Sequence, residues 1–288
     1  MRILANSISY DSDGIESIGA LLNNTIGPTY TYNVRLDEDA GSDRTATFLG
    51  NLTEHIANAC ELIAAEPVLS TAPAVNAIGL SQGGLFLRGY IERCNYPPVK
   101  SLATFGSPHN GISEFQKCGD SGFGALFCAA WEGLLKTQTW TSFVQSTLVP
   151  AQYYRDPEKL DEYLENSNWL ADINNEREIK NGTYKTNLKS LENFWMYKFS
   201  EDTTVVPPET EWFQDISGEG ENRTVIPLKE RQLYKEDWLG LKALDERNAL
   251  QFKVAEGGHM QISDEELFDV FEMMYASSGE EGTKLDLR

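Results

Sequence analysis

Basic residues are scarce in this chain. Twenty-four lysines and arginines face 44 aspartates and glutamates, which leaves a net charge of −20 over 288 residues. So acidic a surface repels phosphate backbones and excludes nucleic acid as a partner. Long apolar runs are lacking as well: none approaches the ~20 residues of a transmembrane helix. The chain contains no H-E-x-x-H, no C-x-x-C and no G-x-G-x-x-G. Those absences remove the motif-borne metal and dinucleotide sites, so no metal or organic cofactor is expected. Histidine is rare, with only His55, His109 and His259, so imidazole chemistry has three candidates. Repeats and low-complexity tracts are missing. What remains is 41% hydrophobic, enough for a full core in a single α/β domain spanning 1–288.

Against that background one short stretch stands out. Gly79-Leu80-Ser81-Gln82-Gly83 reads G-x-S-x-G, the pattern of a nucleophile elbow. Ala74-Val75-Asn76-Ala77-Ile78 before it is short, apolar and partly β-branched, as a buried strand should be. Leu85 to Ile91 after it has helical spacing. A strand, a sharp turn and a helix together lift a serine hydroxyl to the top of a sheet.

A serine hydroxyl is too weak an acid to act alone. It needs a histidine base, and the histidine needs a carboxylate to hold its tautomer. His55 falls in a helical stretch upstream and reads as a surface residue. His109 directly follows the strand Ser101-Leu102-Ala103-Thr104-Phe105 and reads as structural. His259 follows the strand Leu250 to Val254 through Ala255-Glu256-Gly257-Gly258, ahead of a helix capped near Ser263-Asp264-Glu265-Glu266. In α/β-hydrolases the chain order is Ser, acid, His, and that order selects His259. Asp202, in Ser200-Glu201-Asp202 just past the strand Phe194 to Phe199, is the expected acid, with Glu201 as its competitor.

Asn76-Ala77-Ile78-Gly79-Leu80-Ser81-Gln82-Gly83-Gly84-Leu85-Phe86-Leu87-Arg88 resembles the nucleophile region of palmitoyl-protein thioesterases. The resemblance continues through Gln152-Tyr153-Tyr154-Arg155-Asp156-Pro157, Trp169 to Arg177, Glu211-Trp212-Phe213, Thr224 to Leu228, Leu239 to Lys242 and Glu256-Gly257-Gly258-His259. It spans roughly residues 10 to 275. It implies an α/β-hydrolase fold with Ser81 as nucleophile, Asp202 as acid and His259 as base, which agrees with the order argument. It implies hydrolysis of palmitoyl thioesters on S-acylated proteins or peptides. It also implies Gln82 as one backbone donor to the oxyanion.

The opening of the chain departs from that pattern. The family begins with an apolar strand and a His-Gly loop, whereas Met1 to Tyr10 carries neither His-Gly nor an apolar signal region. The expectation is therefore that the N-terminal strand and oxyanion loop are incomplete. Residues near Ser9 to Asp11 are a candidate substitute. Two further readings stay open on sequence alone: a lipase or carboxylesterase on the same fold, and an inactive relative that binds rather than cleaves.

Four cysteines allow three pairings. Cys60 and Cys94 end the helices on either side of the nucleophile strand, and Cys118 and Cys128 bracket a short loop. The pairs Cys60–Cys94 and Cys118–Cys128 are expected, and the resemblance implies the same. N-x-S/T sequons occur at Asn23, Asn51, Asn181 and Asn222, which favours an exported glycoprotein of the lysosome, vacuole or extracellular space. A helix near Gly14 to Asn24, a strand Thr31 to Leu36 and a helix Thr47 to Ala65 precede the elbow. Residues 114–190 carry helical stretches such as Phe123 to Leu135 and Pro157 to Leu164. They read as a helical insertion capping a mostly parallel sheet with helices on both faces. Phe123, Leu126, Phe127, Trp131, Leu134, Leu135, Trp140 and Phe143 are its candidate groove or core residues.

Overall fold

Alternating strands and helices build a parallel sheet in the computed structural model, which describes residues 2–5, 13–115, 135, 137–218 and 223–276. The strands are β1 (Arg2–Ala5), β2 (Thr31–Asn33), β3 (Val75–Leu80), β4 (Val99–Phe105), β5 (Asn193–Phe199) and β8 (Leu250–Ala255). A separate hairpin joins β6 (Asp215–Ser217) to β7 (Thr224–Ile226). The six-stranded sheet runs β2-β1-β3-β4-β5-β8, with every neighbour parallel.

The N-terminal residues Arg2–Ala5 form a strand. β1 occupies an inner position, paired with β2 on one side and β3 on the other. Without it, the facing edges of β2 and β3 would keep unpaired backbone groups inside the molecule, which costs free energy at each one. Residues 6–12, which include the candidate oxyanion residues Ser9 to Asp11, lie outside the described residues.

Inner strands of such a sheet are covered on both faces and so read as continuous apolar runs. β3 is buried along its whole length. Its alternation still assigns faces. Val75 and Ala77 pack with Leu87, Tyr90 and Ile91 of α4 (Gln82–Arg93). Ile78 and Leu80 pack with Ile15, Ile18 and Leu22 of α1 (Asp13–Ile26) and with Val270 and Phe271 of the C-terminal helix Asp264–Ala276.

The helix expected over Thr47 to Ala65 starts later, at Leu52. α2 (Ala40–Ala46) ends, the chain turns, and α3 (Leu52–Ala65) restarts behind Asn51, whose side chain accepts from the Thr53 N–H. An asparagine that satisfies an orphan amide is a helix start, not a helix interior. The C-terminal helix begins with a reciprocal pair: Ser263 N–H donates to Glu266 at 2.8 Å and Glu266 N–H to Ser263 Oγ at 3.2 Å. That arrangement is a capping box.

Between β4 and β5 the described residues form short helices, among them Ser142–Thr147, Leu160–Asn166 and Gly182–Leu188. Tyr163, Trp169, Leu170 and Ile173 pack against Leu52 and Ile56 of α3 and Leu85 and Phe86 of α4. Buried ion pairs tie this region to the hairpin: Arg155 contacts Asp215 and Glu176, and Arg231 contacts Glu176. Phe123, Leu126, Phe127, Trp131 and Leu134 lie outside the described residues. Leu135 is buried, Trp140 packs beside Tyr154 and Tyr163, and Phe143 is 65% exposed and is not part of the core.

Candidate active site

The sheet order reverses between β1 and β3: from β1 the chain goes to β2 on one side, then to β3 on the other. Parallel sheets leave a crevice beyond the strand carboxyl ends at such a reversal. Ser81 is the first residue past β3 and sits there. Its backbone is left-handed, with φ 50° and ψ −127°, a conformation that a non-glycine residue holds at a cost of about 1–3 kcal/mol. The neighbouring glycines explain how the turn closes. A Cβ on Gly79 would overlap the Gly84 backbone, and a Cβ on Gly84 would overlap the Ser107 side chain. The strand and the returning helix touch through hydrogen atoms alone.

Asp202 follows β5 and His259 follows β8, so three separate strand ends deliver three side chains to one edge. His259 Nδ1–H donates to Asp202 Oδ2 at 2.6 Å, and Ser81 Oγ–H donates to His259 Nε2 at 2.9 Å. The carboxylate beside Nδ1 selects that tautomer and leaves Nε2 as the acceptor. The Asp202 side chain is fully buried. Burial pushes its pKa up, but hydrogen bonds from His259 and from the Val205 and Thr204 N–H groups outweigh that, and the carboxyl stays below its ordinary range. Asp202 is therefore ionised near neutral pH.

Glu201, the competing acid, is exposed, and its N–H donates to Gly257 O. His109 is fully buried, bonded through Nε2 to Thr104 Oγ1 at 3.0 Å and stacked on Phe213. Burial, and then the nearby Arg88, hold its pKa well below the usual value, so it stays neutral. His55 differs from the expected surface residue. It is half-buried on α3 and lines a small cavity with Asp43, Thr47, Gln82 and Phe86. The Gln82 N–H is the first of α4, where no preceding turn supplies an acceptor. Its side chain donates to Thr47 O at 3.2 Å, which fixes the residue beside Ser81.

Cys60 and Cys94 form a disulfide with their Cα atoms 6.2 Å apart. Cys118, Cys128 and Asn222 lie outside the described residues. Asn23 is half-buried and accepts from the Thr29 N–H. Asn51 and Asn181 are helix N-caps, each with its Oδ1 engaged, and Asn181 is exposed. Sequence reasoning missed Glu211. It is 1% exposed and faces Asp202. It is one of two acids, with Glu209, between Pro207-Pro208 and Trp212-Phe213, and the sequence marked it only as part of Glu211-Trp212-Phe213.

A family model described as palmitoyl protein thioesterase matches residues 4–259. The chain belongs to the palmitoyl protein thioesterase family. Palmitoyl-protein thioesterase 1 of Caenorhabditis elegans is 38% identical over 247 residues, covering 85% of this chain and 80% of that protein. Palmitoyl-protein thioesterase 3 of Dictyostelium discoideum is 33% identical over 252 residues, covering 87% and 81%. Among solved structures, Est1E from Butyrivibrio proteoclasticus with ferulic acid bound aligns at a TM-score of 0.48 and 10% identity, covering 96% of this chain and 88% of that one. The fold of this thioesterase family member is an α/β-hydrolase fold, with a parallel sheet between helical layers.

Proposed function

We propose that this protein hydrolyses long-chain fatty acyl thioesters, palmitoyl in particular, from S-acylated cysteines of proteins or peptides. The observation that carries the reading is the unbroken chain from Ser81 through His259 to Asp202 at a strained elbow. Ser81 Oγ attacks the thioester carbonyl and its proton passes to His259 Nε2. The tetrahedral oxyanion is met by the Gln82 N–H, at the positive end of α4. The C–S bond then breaks and His259 returns its proton to the departing thiolate. A thiolate is a good leaving group because its conjugate acid has a pKa near ~8.5, far below an alcohol's. Water next gives a proton to His259 and attacks the acyl-serine. The fatty acid leaves and Ser81 is restored. Asp202 keeps its charge throughout and stabilises the imidazolium.

The helical insertion 114–190 caps the carboxyl edge in this reading and contributes to an apolar acyl groove, since ligand sites are concave and mostly apolar. The compartment proposed is the lysosome, vacuole or extracellular space. The Cys60–Cys94 disulfide and the sequons support it. So does the similarity to proteins named lysosomal thioesterase PPT2, such as that of Mus musculus, 28% identical over 64% of this chain. No helix among the described residues is long and apolar enough to cross a membrane.

The test is a series of C4, C8, C12 and C16 acyl thioesters with matched oxygen esters, all below their micelle thresholds. Each buried methylene contributes roughly 0.8 kcal/mol. The expected result is kcat/KM rising steeply with length and then levelling, with thioesters favoured. A flat or falling profile removes the long-chain assignment. Faster oxygen esters make the protein a lipase or carboxylesterase. Failure of a fluorophosphonate to label Ser81 makes it an inactive binding relative.

A further inference from the structure

Among the described residues Glu211 is the one buried carboxyl beside the proposed acid that the mechanism leaves without a task. It lies on the 3₁₀ helix Pro208–Trp212, which the Trp212 indole N–H anchors to β5 through Met196 O at 3.0 Å. Neither Glu211 oxygen has a partner in full hydrogen-bonding geometry, and the Phe199 N–H is the backbone donor that faces it. The charged groups facing it are Asp202, from the loop after β5, and Lys198, on β5 itself. Lys198 stands over the Trp212 ring, 4.7 Å from its centroid, and is a weaker influence than Asp202.

A carboxylate offers about four lone-pair directions. Asp202 uses three of them, for the Thr204 N–H, the Val205 N–H and His259 Nδ1–H. Two carboxyls in contact cannot both be ionised in a buried site, and the one with other donors keeps the charge. Asp202 has three donors in full geometry and Glu211 faces only the Phe199 N–H, so the shared hydrogen belongs to Glu211. Burial, followed by the Asp202 charge and the hydrogen bond to it, pushes the Glu211 pKa up to about 10.

We propose that Glu211 is protonated in the working enzyme, donates the fourth hydrogen bond to Asp202, and is a positioning residue that fixes the acid of the triad. This rests on the Ser81–His259–Asp202 reading. The neutral donor holds Asp202 in line with His259 Nδ1 without adding a second negative charge. It also takes up part of the Asp202 charge, which limits how tightly the carboxylate holds the imidazolium.

The test compares Glu211→Leu, Glu211→Gln and Ser81→Ala in the full chain, each checked for folding by circular dichroism and a thermal melt. Leucine keeps the volume and loses the donor. The expected result is a kcat about 10–100-fold lower, the usual loss when an orienting partner is removed, with KM little changed. The acid limb of the kcat/KM profile should move to higher pH. Glutamine restores a neutral donor and should recover all but about threefold of the rate, with the acid limb back near the wild-type position. Infrared difference spectra of wild type against Glu211→Gln at neutral pH should show one protonated carboxyl band in the wild type alone. A missing band overturns the proposal, even if the leucine variant fails to fold. So does a folded Glu211→Leu with wild-type kcat and acid limb while Ser81→Ala is dead, an outcome that leaves the triad standing. Turnover surviving in Ser81→Ala would remove the triad and this role together.

Discussion

Ser81, His259 and Asp202 carry different burdens, so their replacements should fail differently. Ser81→Ala removes the nucleophile but little packing, and is expected to abolish turnover while the melting temperature stays near wild type. Asp202→Asn keeps the shape but offers an amide donor where Nδ1–H needs an acceptor, which favours the wrong imidazole tautomer. A loss of about 10⁴ in kcat is expected. His259→Ala should cost a similar factor. Rates and melts of the three variants, with His109→Ala as a control, check this. His109 is neutral and bonded to Thr104, so its loss should lower stability more than chemistry. Activity lost in His109→Ala but kept in His259→Ala would reverse the assignment.

The Cys60–Cys94 bond joins α3 to the end of α4, the helix that carries the elbow. It closes a loop with a sequence separation of 34, for which chain entropy gives about 3–4 kcal/mol. Cys60→Ala with Cys94→Ala should lower unfolding free energy by that order and leave the slope against urea steeper, because the unfolded chain expands. Equilibrium urea unfolding measures both. A double variant as stable as wild type would show that α3 and α4 are held by packing alone.

A net charge of −20 and raised buried carboxyls make the molecule's stability pH-dependent. Glu211 is neutral in the fold up to about pH 10, whereas its unfolded counterpart ionises near ~4.3. Its contribution is therefore present in full below that unfolded value and is lost progressively as pH rises toward 10, by at most about 1.4 kcal/mol per pH unit. Glu92 acts in the same direction over a shorter span: burial outweighs Arg88 and raises it to about 7. Asp202 acts oppositely. Its lowered pKa stabilises the fold above ~3.9 and that gain disappears as pH falls through the folded value. Stability should peak in the mildly acid range and fall toward pH 9. Thermal unfolding between pH 4 and 9 measures it, and Glu211→Gln should flatten the alkaline decline. A Glu211→Gln variant that declines as steeply as wild type would contradict the assigned protonation.

Local pattern by itself determined the elbow and the three strands after which Ser81, Asp202 and His259 stand. Those features depend on residues near each other in the chain: a G-x-S-x-G turn, apolar runs, and the loops directly after them. The order of the strands made the rest a short deduction. Tertiary structure alone decided three other matters. β1 has only four residues and a weak pattern, so its inner position comes from the backbone groups of β2 and β3 that it satisfies. His55 is half-buried because α3 packs beside the elbow, a relation between elements that no periodicity encodes. Glu211 becomes a partner of Asp202 only when the 3₁₀ helix after β5 folds back under the sheet edge. The two stand nine positions apart in sequence, and no spacing rule marks them as a pair. Burial and mutual charge, which set their protonation, exist only once both are enclosed.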